Sequence, residues 1–487
     1  VENIKRILLT NGRILLPENR IIEGCLLVDG EQIAEVVTGA ADGIDAERID
    51  IENKLLIPGF IDAHTHLFQE GVETTRPDVS AAKSRTELLE MVREAAREYE
   101  KGEVIIASDF DESLWGDSTW PCREELDTVA GRNPLIVRRI CGHIAIGNTL
   151  ALEHISDEWS GVDRETGIMK EDVPLNLSRI FPPDVEKVRS GLKVVVNQAN
   201  SLGITSIHEI TKLGNVRFFE ELAVAGGLTL NTRFYIRHID LDGIREPDGG
   251  FGKTTFGGIK LFADGSIGAR TAANTFEYSD TPGNQGTLIH GDDDLRSFVQ
   301  RAEERGIQLA IHAIGDLAIG QVLDVYEQCV HPGNPLRHRI EHAELIDEND
   351  IERVARLGIV ISAQPNFIKL WSQPQGMYEK VLGDHYPLNN PLGRMERRGI
   401  TVAFGSDTMP LSPLLGIEGT VTAPFADQQM NLEKAILCYT RNSAQAGFSL
   451  KHEGEIAKGK EANLVVLDPE EMLICKTFYR GRCVFSV

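Results

Sequence analysis

"GFIDAHTHL", residues 59–67, sets two histidines two positions apart at the end of an apolar run. On a β-strand, positions i and i+2 point to the same side, so His64 and His66 face one point in space. That geometry suits a metal ion. It equally describes a strand end that merely carries two histidines, so the decision rests on whether other ligands appear.

Four more polar residues close apolar runs. Lys260 stands in "GGIKLFADGS", His312 in "IQLAIHAIGD", His342 in "HRIEHAEL" and Asp407 in "VAFGSDTMP". Each run reads as a buried strand, and a charge buried without a partner is expensive. Four imidazoles, a carboxylate and a lysine converging on one face can hold one or two divalent ions. An ammonium does not ligate a metal. A lysine amine that has reacted with carbon dioxide becomes a carbamate, whose two oxygens bridge two ions; the alternative is a lysine paired with a nearby acid.

These runs belong to a repeating pattern. Candidate strands at 56–64, 204–209, 232–238, 258–262, 307–312, 338–343, 359–364 and 401–407 alternate with helical patterns such as 293–306 and 347–358. Alternation of strand and helix implies a parallel sheet with crossover helices, and eight units imply closure into a (β/α)8 TIM barrel over 58–446. Strand-like, turn-broken segments at both ends predict a small β-sandwich-like domain from 1–57 plus 447–487, with hairpin signals at Asn11-Gly12 and Asp29-Gly30. The long interval after the first strand is too structured for a loop. It includes a helix over 84–100 with Ser84 and Glu87 in capping-box spacing, the Trp/Gly-rich "DESLWGDSTW", and leads into a helix over 184–200. We expect an inserted subdomain over 68–183, standing over the active-site mouth because it leaves the C-terminal end of a barrel strand.

The 487 residues are 41% apolar and 25% charged, ordinary for a globular protein. The formal net charge of −24 argues against a nucleic-acid or anionic-membrane surface. Seven scattered cysteines without a CxxC pair fit a reduced, cytoplasmic compartment. No signal peptide and no bilayer-spanning run are expected.

Taken in order, the motifs make the chain recognisable. "LLIPGFIDAHTHLF", "GITSIHEI", "GGIKLFADGSIGARTA", "LAIHAIGDLAI", "RIEHAEL" and "TVAFGSDT" resemble the amidohydrolase superfamily, in the branch of the N-substituted formamide deformylases (amidohydrolase family 3). The insert's "WPCREELDTV" and "NPLIVRRICGHIAIGNTLAL" resemble that branch too, as does "GEIAKGKEANLVVLD", apart from Asn463 where an aspartate is usual.

The resemblance implies His64, His66 and Asp407 on one metal and His312 and His342 on a second, with carboxylated Lys260 between them. Zinc is the default ion, with manganese, iron and nickel as alternatives. The implied activity is hydrolysis of a non-peptide carbon–nitrogen bond of a small molecule by a metal-bound hydroxide, with Asp407 as base and then acid. Other readings are a cyclic-amide hydrolase or nucleobase-type deaminase, and an inactive small-molecule-binding homologue. His143 and His208 are further catalytic candidates, each equally readable as structural. Arg270 and Asp264 either bind a substrate carboxylate or pair with each other. Phe367 and Trp371, with Tyr378 and Tyr386, are pocket walls or loop anchors. The expected partner is a small-molecule substrate, with no nucleic acid or membrane; a homo-oligomer is left open.

Overall fold

The computed structural model describes residues 6–38, 41, 43–112, 115, 116, 119–140, 142–237 and 253–487. His238, the last residue expected of the third strand, lies outside them, as do Cys141 and part of the Trp/Gly-rich stretch. The chain forms two compact units, residues 1–67 with 196–487, and residues 68–195.

The first unit contains eight parallel strands, numbered here β1 (Phe60–Thr65), β2 (Ile204–Thr211), β3 (Asn231–Arg237), β4 (Thr254–Phe262), β5 (Gln308–Ala313), β6 (Arg339–His342), β7 (Val360–Ala363) and β8 (Val402–Phe404). They lie side by side in chain order, each hydrogen-bonded to the next. The ends nearly close on one another. Asp407 N–H donates to the His64 carbonyl at 2.8 Å, and Ser406 N–H to Asp62 Oδ1 at 2.9 Å. Gly405 makes this possible, since a Cβ there would lie 2.5 Å from His64 N. The result is a nearly closed eight-stranded parallel barrel, consistent with a TIM barrel.

The helices between the strands start and stop where local chemistry dictates. Glu348–Leu357 begins after Asp347, whose side chain accepts from Asp350 N–H, and ends at Gly358 with φ 71°. Asp316–Cys329 buries Ala318, Ile319, Val322, Leu323, Val325 and Tyr326, the stripe expected of a helix laid on a sheet.

Strands from both termini build one further eight-stranded sheet. Its order is Arg482–Ser486, Leu473–Tyr479, Leu464–Asp468, Leu55–Pro58, Arg6–Leu16, Arg20–Asp29 and Gln32–Val37, with Glu47–Asp50 also pairing Arg6–Leu16. Residues 56–58, expected in the first barrel strand, belong to this sheet. The chain changes sheets at Gly59, whose N–H goes to Asn463 O while that of Phe60 goes to Gly203 O. Asp29-Gly30 forms the expected hairpin, with Gly30 at φ 60°. Asn11-Gly12 does not turn the chain. It forms a bulge inside Arg6–Leu16, with Asn11 at φ 56°, and the turn follows at residues 17–19.

The second unit has four strands in the order Ile168–Lys170, Ile144–Gly147, Leu135–Arg139, Ile105–Phe110. The helix expected over 84–100 runs as Arg85–Ala95 and finishes in a 3-10 turn, Ala96–Glu98. Ser84 caps it, accepting from Glu87 N–H at 3.2 Å. Leu88, Val92, Ile105, Leu126, Leu135 and Val137 form its core. Among the described residues no helix is long and apolar enough to cross a membrane.

Candidate metal centre

The polar residues at the strand ends meet. One ligand atom from each of His64, His342 and Asp407 lies within 4.8 Å of the others. His66 Nε2 is 3.0 Å and His64 Nε2 3.5 Å from Asp407 Oδ1, and Lys260 Nζ is 3.5 Å from His64 Nε2. The His312 ring centroid lies 4.4 Å from that of His342. His64 and Lys260 lie on β1 and β4, and His66 follows one residue past the end of β1, beyond a register irregularity against β2. His342 and Asp407 need more.

Neighbouring strand residues point to opposite faces, yet Glu341 and His342 both reach His64. Glu341 Oε2 lies 2.6 Å from His64 Nδ1, and the His342 ring is 4.9 Å from the His64 ring. The backbone breaks the alternation, because His342 and Ala343 take φ of 72° and 52°. Asp407 and Thr408 do the same at the end of β8, with φ of 55° and 54°. Left-handed φ is uncommon outside glycine, though histidine and aspartate adopt it more readily than most residues, and it gathers at functional sites.

The imidazoles are set up as donors to a cation. His64 Nδ1 faces Glu341, His66 Nδ1 faces Ile210 O at 3.1 Å, and His312 Nε2 faces Gly265 O at 2.8 Å. An oxygen on one ring nitrogen fixes the tautomer and leaves the other lone pair for a metal. His342 Nδ1 is buried with no partner. Burial, with the Lys260 ammonium and neighbouring rings, drives His64 and His342 well below the usual histidine range and His312 down to about 4. Neutral imidazole is the ligand form. For His66, burial pulls down but the Asp407 carboxylate outweighs it, so this ring is raised. Burial lowers Lys260 to about 8. Among the described residues no carboxylate lies within ion-pairing distance of Lys260 Nζ, so the pairing with a nearby acid is not the arrangement found. The donor set fits a divalent cation: His64, His342 and Asp407 offer converging ligand atoms, with His66, His312 and the Lys260 amine beside them.

The carboxylate that orients His64 is not among the candidates the sequence offers. Glu341 is fully buried and held by Arg339, whose Nη2 is 3.0 Å from Glu341 Oε2. Arg339 also reaches Ala63 O at 2.7 Å and His208 Nδ1 at 2.9 Å. Its signal was present in "RIEH", where two opposite charges alternate around an isoleucine inside a buried strand.

The remaining candidates separate. His208 stands inside the barrel on Arg339 and beside Tyr235, and is not among the converging donors. His143 lies in the second unit, 2.8 Å from Glu171 Oε2. Arg270 and Asp264 do not pair. Arg270 binds Asp280, while Asp264 accepts backbone N–H groups from Ala273, Ile314 and Gly315 and lies 3.5 Å from His312 Nε2. Residues 366–388 form short helices. The Phe367 ring lies nearly parallel to that of His342 at 6.3 Å, with Trp371 4.4 Å beyond it. Tyr378 and Tyr386 spend their hydroxyls on Glu344 and Ser372 O, which makes them anchors of this segment.

The sequence profile of the amidohydrolase family matches residues 47–478, nearly the whole chain. The chain belongs to the amidohydrolase family. Among curated proteins it is 28% identical to the putative amidohydrolase YtcJ of Bacillus subtilis, covering 91% of each chain. It is also 28% identical to the N-substituted formamide deformylase of Arthrobacter pascens, covering 91% of this chain and 89% of that one. Among solved structures, an uncharacterized metal-dependent hydrolase from Pyrococcus horikoshii superposes with a TM-score of 0.83 at 26% identity, covering 98% of this chain and 100% of that one. The family resemblance drawn from the motifs is thus matched along both sequence and fold.

Proposed function

We propose that this amidohydrolase-family chain is a metal-dependent hydrolase that cleaves an amide-like, non-peptide carbon–nitrogen bond of a small molecule. The observation that carries the reading is the convergence of His64, His342 and Asp407, with His66, His312 and Lys260 around them. The likeness to a formamide deformylase points to the same bond type. Six donors suit two divalent ions, zinc first, since imidazole and carboxylate favour it.

A divalent cation held there supplies Lewis acidity, lowering the pKa of water and polarising a carbonyl. The chain's own groups do the rest. Burial alone would raise Asp407, but the charges and the His66 hydrogen bond around it outweigh burial and hold its carboxyl at about 2. It is therefore ionised and able to accept a proton from the attacking water and pass it to the leaving nitrogen. Lys260 tunes that base. Its lowered pKa favours the free amine, which adds to carbon dioxide with loss of one proton to give a carbamate. Replacing an ammonium by an anion beside Asp407 raises the carboxyl's proton affinity and makes it a stronger base. Phe367 and Trp371 give the substrate an apolar wall next to His342.

The test is a panel of N-substituted formamides, N-acyl amino acids and cyclic amides, assayed with the zinc-supplemented protein. Turnover of an acyclic amide, reduced about 10²- to 10⁴-fold in Asp407→Asn, supports the reading. Turnover confined to cyclic amides or amino-substituted rings would replace it.

A further inference from the structure

We propose that the second unit carries a separate binding site for a small carboxylate on a compact apolar body, centred on Arg76. A cavity of about 280 Å³ is lined by Val72, Arg76, Tyr99, Ile106, Phe181 and Lys187, among others. All its lining residues lie within 68–195. The volume is close to the lower end for small-molecule pockets, roughly 300 Å³.

Arg76 is the feature that asks for a ligand. Its side chain is only 8% exposed. It spends Nη1 on Glu73 Oε1 at 2.7 Å, and among the described residues nothing else accepts from its guanidinium. Glu73 has little more to offer, since it also accepts from Gln69, Ser108 and both Nη atoms of Arg138. The unspent N–H groups of Arg76 are not sealed from solvent, so a ligand there replaces water on a guanidinium that is otherwise largely enclosed. A carboxylate is the ligand group that takes two of them in parallel.

The rest of the wall selects the ligand's body. Val72, Ile106 and Phe181 are buried apolar side chains. Lys187 lies over the Tyr99 ring, its Nζ 4.3 Å from the centroid, and pairs with Glu103. That pair neutralises itself, and Asp109, 3.6 Å from Arg138, offsets the second arginine. Asp184, which accepts the Glu186 and Lys187 N–H groups, also lines the cavity and has no ion-pair partner among the described residues, so the wall carries no surplus positive charge and recognition depends on the free donors of Arg76.

Calorimetric titration with benzoate, and with benzyl alcohol as its uncharged counterpart, tests the site in the full-length protein. Wild-type protein binds benzoate saturably at one site and at least about tenfold more tightly than benzyl alcohol. Arg76→Met removes that preference, and Lys260→Ala leaves benzoate binding unchanged. Absence of saturation, or equal affinity for the two probes in wild-type protein, overturns the proposal without reliance on any variant's folding. Loss of benzoate binding in folded Lys260→Ala also overturns it, by placing the anion at the barrel cluster.

Discussion

Glu341 Oε2 lies 2.6 Å from His64 Nδ1, and this contact turns the other nitrogen of His64 toward Asp407 and Lys260. Arg339 holds the carboxylate from behind. Arginine, glutamate and histidine thus form a buried line from the barrel interior to the candidate metal centre.

Glu341→Gln breaks that line. Metal affinity should fall about 10- to 100-fold, the usual cost of losing an orienting partner of a ligand. Folding stability should drop by about 3–5 kcal/mol, because Arg339 keeps its charge in a buried place without its counterion. Metal retention after graded chelator dialysis and urea unfolding measure the two effects. Unchanged retention would show that Glu341 does not orient His64.

Gly405→Ala tests the closure of the barrel. The added Cβ would meet the backbone nitrogen, Cα and Cβ of His64 at 2.5–2.9 Å, and a backbone clash is not relieved by rotating a side chain. Overpacking of this kind costs about 1–3 kcal/mol. The displacement acts directly on a ligand, so metal affinity should fall along with the unfolding midpoint. A variant with wild-type stability and metal content would contradict the close approach described.

The barrel was legible because its cause is local. Eight apolar runs separated by helical periodicity leave few topologies open. The donors could be found because each follows or closes an apolar run, and the i, i+2 spacing leaves the His64 and His66 rings 5.6 Å apart. What lay beyond the sequence was made by backbone conformation and by long-range pairing. The left-handed φ of His342 and Asp407 brings them to the cluster, and the mild preference of histidine and aspartate for that region is too weak to single out these positions. Of the two readings open for Asp264 and Arg270, substrate binding or mutual pairing, the pairing is absent, because loop geometry gives Asp264 three backbone N–H groups. Asn11-Gly12 has hairpin composition, yet the pairing with Arg20–Asp29 absorbs it as a bulge. His208 shares the direction of the cluster in sequence terms and is claimed by Arg339, 131 positions away.

His338 gives the fold a defined pH response away from the centre. It is fully buried, its Nδ1 accepts the Leu309 N–H at 2.9 Å, and its Nε2 lies 2.8 Å from Glu303 Oε1. The folded ring is therefore neutral, and burial lowers its pKa below 6.5 despite Glu303. The unfolded chain binds a proton near pH 6.5, so this contribution to stability is present above that pH and is lost as the pH falls below it. The slope reaches at most about 1.4 kcal/mol per pH unit. Unfolding free energies at several pH values between about 7.5 and 5.5 should decline more steeply in wild-type protein than in His338→Gln. Parallel declines would mean that His338 accepts a proton in the folded state as readily as in the unfolded one.

The central proposal is that the six strand-end residues would hold divalent metal, with Lys260 taking part as a carbamate. Metal content by mass spectrometry, on protein purified without chelator after expression with zinc, tests it most directly. The account predicts about two ions per chain, with a loss in folded Lys260→Ala that added bicarbonate does not restore. Folded wild-type protein without bound metal, or a Lys260→Ala variant that keeps the full complement, would contradict it.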